Sequence, residues 1–194
     1  MRSNKTVSSL VVLVVLACAA NSFALTIDFS SLAPGDSFNV GDIVSPLPVP
    51  VTVENISGGT AFVSSGLLAA GSGQEIGIQN VKLNFGFGPL DGLSMQFGET
   101  FNAGAVTLMV NGTTYNGIDF ANLAGPVGGS ATLFVIPTGL NTGALFFMGN
   151  ITSFAIGGDD IYIDNIVASQ IPEPATLALL GLGGLVLRRK KRAA

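Results

Sequence analysis

An all-β body, an antiparallel β-sandwich of jelly-roll type, is the fold class that this chain predicts between its two ends. Three observations predict it. Apolar and polar residues alternate in short runs of the kind that half-buried strands show. Gly, Pro, Asn and Asp interrupt those runs about every eight to twelve residues. No interior stretch sustains the 3.6-residue period of an amphipathic helix.

Taken in order, the run 25–30 (LTIDFS) alternates strictly and predicts the first strand. Ala33-Pro34-Gly35-Asp36 predicts a turn. Residues 38–44 read as a loop or short edge. The prolines at 46, 48 and 50 then make a connection, because Pro cannot donate to a central ladder. Runs 51–56 and 60–63 flank Ser57-Gly58-Gly59 and predict a hairpin. The glycine-rich 66–73 predicts surface chain. Residues 76–87 alternate but change phase near Asn80, which predicts a bulge or turn there. After a turn at 88–92, the run 93–97 alternates again. Asn111-Gly112 between 106–110 and 113–120 is the strongest hairpin signal, a two-residue type I′ turn. Runs 131–136, 143–148, 151–156 and 161–167 complete the strands.

The ends have a different character. Arg2 and Lys5 precede the apolar run 7–20, and Ser22-Phe23-Ala24 ends it with small residues. This pattern predicts a secretory signal peptide over 1–24, cleaved after Ala24. With no twin-arginine pair, it predicts the general secretion machinery. An uncleaved anchor, or a lipid on Cys18 within Val15-Leu16-Ala17-Cys18, are the alternatives. The other end, 169–194, begins with Pro172-Glu173-Pro174. Each proline fixes its own φ and extends the residue before it, so an enzyme can grip the segment as a stiff peptide. The uncharged run 175–187 follows, then Arg188, Arg189, Lys190, Lys191 and Arg192. A helix over 175–187 spans about 20 Å at ~1.5 Å per residue, against ~30 Å of hydrocarbon. It is apolar on every face, and the basic cluster suits the cytoplasmic side, where it stops transfer. Long Lys and Arg stems extend such a span by snorkelling. The expectation is one apolar C-terminal transmembrane helix that anchors transiently in the inner membrane. A buried core helix is the alternative.

Charge separates the same three regions. Of the twelve acidic residues only Glu173 lies outside 25–170, and of the eight basic residues only Lys82 lies inside. The body thus carries a net charge near −10. Such a surface argues against nucleic acid and against anionic lipid as a partner, because neutralising phosphates needs cations. The chain has no histidine, and its one cysteine is Cys18. The body therefore has no disulfide, no Cys or His metal site, no Cys nucleophile and no Ser-His-Asp triad.

Few chemistries remain. Asp28 lies in the first strand, and Asp159, Asp160 and Asp164 lie around the last. If the terminal strands pair, these carboxylates are weak candidates for a Ca²⁺ site, since that ion takes oxygen ligands. Turn chemistry at Gly157-Gly158-Asp159-Asp160 is the plainer reading. Glycoside hydrolysis needs two facing carboxylates, and Glu54, Glu75 and Glu99 are the glutamates available for it. No spacing joins them, so no catalytic residue is assigned and no enzyme is expected. Sugar stacking has no Trp and only Tyr115 and Tyr162 to draw on, with the phenylalanines mostly on core phases. Three glycosylation triplets begin at Asn55, Asn111 and Asn150 and read as chance.

The order of Pro-Glu-Pro, apolar Gly/Leu-rich span and terminal Arg/Lys cluster resembles the PEP-CTERM sorting signal of Gram-negative bacteria. The resemblance covers about the last two dozen residues. It implies a substrate of an exosortase, which cleaves near the motif during export, and an association with exopolysaccharide and biofilm production. A second resemblance spans most of 25–168. The patterns IDFSSLAPGDSFNVGD, LNFGFGPLDGLSMQFGE, VNGTTY and FAIGGDDIYIDNIVA look like the β-sandwich domains that such proteins carry, which are similar in outline to carbohydrate-binding jelly rolls. Together these imply a secreted structural or adhesive protein of the envelope or extracellular matrix, with a carbohydrate-binding module, calcium-assisted if the aspartates hold the ion, as the alternative and a hydrolase as the third reading.

Overall fold

A computed structural model of the chain describes residues 24–69, 71, 73–100, 106–120, 123–139 and 141–170. Residues 1–23 of the expected signal peptide and the expected helix at 175–187 lie outside them. The described strands are, in chain order, β1 (Ala24–Ile27), β2 (Ser37–Asn39), β3 (Ile43–Val44), β4 (Val51–Ser64), β5 (Glu75–Phe85), β6 (Leu90–Glu99), β7 (Val106–Val110), β8 (Thr113–Ile118), β9 (Gly125–Val127), β10 (Ala131–Pro137), β11 (Thr142–Ile151), β12 (Phe154–Gly158) and β13 (Ile161–Gln170). The body is all-β, and its ladders are antiparallel.

The sheet is continuous but bends into two wings. Residues 81–85 of β5 pair with β12, which pairs with β7 and so with β8. Residues 76–78 of β5 pair instead with β13, which leads through β6, β11 and β10 to the edge strand β9. Strand β4 follows β5 across both wings. Three breaks line up to make the corner. In β4 the register shifts between Asn55 and Thr60. In β5 it falls at Gln79-Asn80, and between β12 and β13 at Asp159-Asp160. Asn80 and Asp160 both have φ +56°, which their short polar side chains tolerate better than branched ones. Ser57 Oγ donates to Asn80 Oδ1 at 2.8 Å, and Gln79 Nε2 donates to Asp160 Oδ1 at 2.8 Å, so the corner is tied from both sides.

This corner accounts for the phase change at Asn80 and overturns the hairpin expected at Ser57-Gly58-Gly59. Those residues form a bulge inside one long strand. A Cβ on Gly59 would fall on the Gln79 carbonyl oxygen, so the close approach needs glycine there. The Asn111-Gly112 hairpin does form. Val110 pairs with Thr113, and φ is +51° and +76° at the two turn residues, as type I′ requires.

The two wings face each other over one apolar core. Phe147 on β11 meets Phe154 on β12 edge to face at 5.2 Å, and Phe97 on β6 meets Phe120 at 4.6 Å. Phe29, Phe120, Phe147 and Phe154 are fully buried. Such side chains each contribute about 1.5–3 kcal/mol on burial, which suits a body without disulfides.

Candidate functional site

The terminal strands pair as anticipated. β1 lies antiparallel to β13, with Ala24 opposite Ser169 and Ile27 opposite Ile166. Chain entry and chain exit therefore share one end of the sheet. Ala24 is the first residue of β1, and β13 ends at Gln170. The sorting residues Pro172, Glu173 and Pro174 and the cluster Arg188, Arg189, Lys190, Lys191 and Arg192 lie outside the described residues.

Pairing does not gather the aspartates. Asp28 turns back on its own chain, accepting from Ser30 N at 3.2 Å and Ser30 Oγ at 2.8 Å. Asp160 accepts from Gln79, and Asp159 is half-buried. Asp164 is buried against Gly71, where a Cβ would overlap its carboxylate. Among the described residues no group of three His, Cys, Asp or Glu converges to hold a metal. The four aspartates are thus spread: Asp28 in a turn, Asp159 and Asp160 at the corner, and Asp164 opposite Gln96, on the sheet face away from Ile163 and covered by Gly71.

The three glutamates have separate roles. Glu54 forms an ion pair with Lys82 at 3.0 Å and accepts from Asn84 Nδ2 at 2.6 Å. Burial alone would raise its pKa, but the bonds from Asn84 and Lys82 outweigh it and hold the carboxyl below its ordinary value. Glu75 is buried and accepts from Ser64 Oγ, Leu68 N and Ala69 N. Glu99 lies near Asp119, a pairing that sequence reasoning missed. The two are far apart in sequence, and no spacing signals it. Burial pushes the Glu99 carboxyl up, Asp119 adds to the rise, and the Phe120 N–H offsets part of it.

Because the folded state holds the Glu99 proton more tightly than the unfolded chain does, this group favours folding fully in acid. That contribution is lost as pH rises through the raised pKa. Glu99→Gln is therefore expected to melt higher than the parent at about pH 7 and level with it near pH 4. Thermal melts at both pH values test this; an equal gain at both would refute the titration.

Both tyrosines are engaged inside the fold. Tyr115 Oη accepts from Gly128 N at 2.9 Å, and Tyr162 packs edge-on against Phe62 at 5.9 Å. Among the described residues the exposed aromatics are instead Phe134 and Phe146, cross-strand partners on the outer face of β10 and β11. An open groove of about 630 Å³ crosses this face over β13, β6, β11 and β10. It is lined by Ser94, Phe134, Phe146, Met148, Val167 and Ser169 among others, none of them charged.

The geometry thus defines an acidic, all-β body whose last strand leads directly into the tail. Residues 170–192 match the family model of the PEP-CTERM protein-sorting motif. No curated protein and no solved structure matches the chain. The chain carries a PEP-CTERM sorting motif, which implies an exported protein with an exosortase as its processing partner. Among the described residues no helix is long and apolar enough to cross a membrane.

Proposed function

We propose that this chain is a non-enzymatic structural or adhesive component of the outer envelope or exopolysaccharide matrix of a Gram-negative bacterium. Its leader is removed after Ala24. The span at 175–187 holds it briefly at the inner membrane, and an exosortase then cleaves near Pro172-Glu173-Pro174. The observation that carries this reading is the sorting motif at 170–192, which starts where β13 ends. The acidic body supports it, since self-repulsion favours solubility outside the cell.

Mass spectrometry of the native extracellular or envelope-bound protein tests the proposal. The expected chain begins at Leu25 and lacks Arg188, Arg189, Lys190, Lys191 and Arg192. Deleting the host exosortase should leave the tail in place and the protein in the membrane fraction. Full-length chain recovered from the cytosol would refute it.

A carbohydrate-binding module is the alternative. It draws nothing from Tyr115 or Tyr162, whose rings and hydroxyls serve the fold. Retention of the processed protein on its host's own polysaccharide, abolished by competing soluble glycan, would favour it.

A further inference from the structure

We infer that the outer face of β6, β10, β11 and β13 rests on the surface of a lipid bilayer while the sorting tail holds the chain at the membrane. The inference depends on the transient anchoring proposed above. On this face Phe134, Ile136, Phe146 and Met148 are 49, 52, 38 and 62 % exposed. Large apolar groups in one contiguous patch mark an interaction surface.

Where the chain leaves the sheet selects lipid as the occupant. Ser169 lines the groove, and the next residue ends the last strand. The apolar run of the tail begins at Ala175, five residues after Gln170. Fully extended, that tether spans at most about 18 Å, at ~3.6 Å per residue. An anchored tail therefore keeps this end of the body close to the bilayer. Before leader cleavage a second membrane-directed segment starts from the same end, because Ala24 is the ladder partner of Ser169.

Charge points the same way. The body is near −10, yet no lining residue of the groove is charged. The patch itself brings no charge against a lipid surface, whereas a second copy would bring another body near −10. Interfacial burial needs apolar side chains to reach only about 5–10 Å into the headgroup boundary, which exposed Phe and Met on a sheet face can do.

The chain contains no tryptophan, so a single introduced one reports its own surroundings. Full-length Phe146→Trp, Met148→Trp, Asn116→Trp and Leu180→Trp are each reconstituted into phosphatidylcholine vesicles with brominated acyl chains. Asn116 is exposed on β8 of the other wing, and Leu180 is in the tail. The expected result is about twofold quenching of Phe146→Trp, Met148→Trp and Leu180→Trp, the first two at the depth of an interfacial element, with Asn116→Trp unchanged. Quenching of Leu180→Trp without Phe146→Trp or Met148→Trp overturns the inference and leaves the anchor standing. No quenching at any position removes both. A blue shift of Phe146→Trp on raising protein concentration without lipid would assign the face to a second copy. A blue shift on adding host polysaccharide would assign it to a glycan. Either of these overturns the lipid assignment.

Discussion

Asn111→Asp lowers the melting temperature of the body by about 10 °C at neutral pH, on the order of 3 kcal/mol for a domain of this size. The reason is the direction of its hydrogen bonds. Asn111 Nδ2 faces Gly128 O at 3.2 Å, Ser130 Oγ at 2.9 Å and Asn150 O at 2.8 Å. Its Oδ1 accepts from Thr152 N at 2.7 Å and Thr152 Oγ1 at 3.1 Å. One side chain at the tip of the β7–β8 hairpin thus ties together the turn after β9 and the β11–β12 connection. Aspartate has the same shape but turns a donor into an acceptor, so a carboxylate oxygen would face two carbonyls. Each polar group left unsatisfied costs about 1–3 kcal/mol. Acidification should restore part of the loss, since a protonated Asp donates again. Asn111→Gly keeps the left-handed turn and isolates the missing bonds. Circular-dichroism melts at neutral and acidic pH read all three chains, and an Asp variant within 2 °C of the parent would show that the network contributes little. The same bonds occupy the amide nitrogen of the second glycosylation triplet, which argues against a sugar there.

The second large effect is expected at Glu75. Its carboxylate is 1 % exposed and accepts from Ser64 Oγ at 3.2 Å, Leu68 N at 2.9 Å and Ala69 N at 2.6 Å. Glu75→Ala leaves the N–H groups of Leu68 and Ala69 without their acceptor, and about 3 kcal/mol is expected to go with them. Glu75→Gln keeps the volume but sets an NH₂ group against one donor, so about half that loss is expected. The comparison is Glu54→Gln. Glu54 and Lys82 remain 35 % and 21 % exposed, and a surface pair is worth at most about 1 kcal/mol. Urea unfolding of the three variants, with limited proteolysis near Leu67-Leu68, separates them. Equal losses at Glu54 and Glu75 would contradict the role assigned to the buried carboxylate.

These residues also show what the sequence reveals. The alternating runs, the Asn111-Gly112 hairpin and the break near Asn80 are local signals, set by side-chain period and by which residues accept positive φ. All three appear in the sheet. The Ser57-Gly58-Gly59 stretch was misleading because a glycine bulge and a hairpin turn use the same residues. Only Gln79, brought alongside by the β4–β5 ladder, decides between them. The patch was hidden for a similar reason. Phe134 and Phe146 have the same composition and alternation as core phenylalanines, and which side of β10 and β11 is solvated depends on pairing with β6 and β9. Glu99 and Asn111 gain their roles from residues distant in sequence, and Glu75 from Ser64, Leu68 and Ala69 in the segment just before its strand; no spacing rule connects such groups. The tail is the opposite case. Its order of motif, apolar run and basic cluster is itself the signal, and residues 170–192 match the sorting-motif family on that order alone.

The placement of β13 bears on how the protein carries mechanical load. A pull applied through the C-terminal end enters a strand bonded to β6 on one flank and to β1 and β5 on the other. Force is then shared by ladders on both sides rather than taken up by a free margin of the sheet. A pull between the two termini acts differently. Ala24 and Ser169 are opposed at the open end of an antiparallel ladder, so opposite tugs would unzip β1 one pair at a time. The protein should therefore resist being dragged by its tail far better than being stretched end to end.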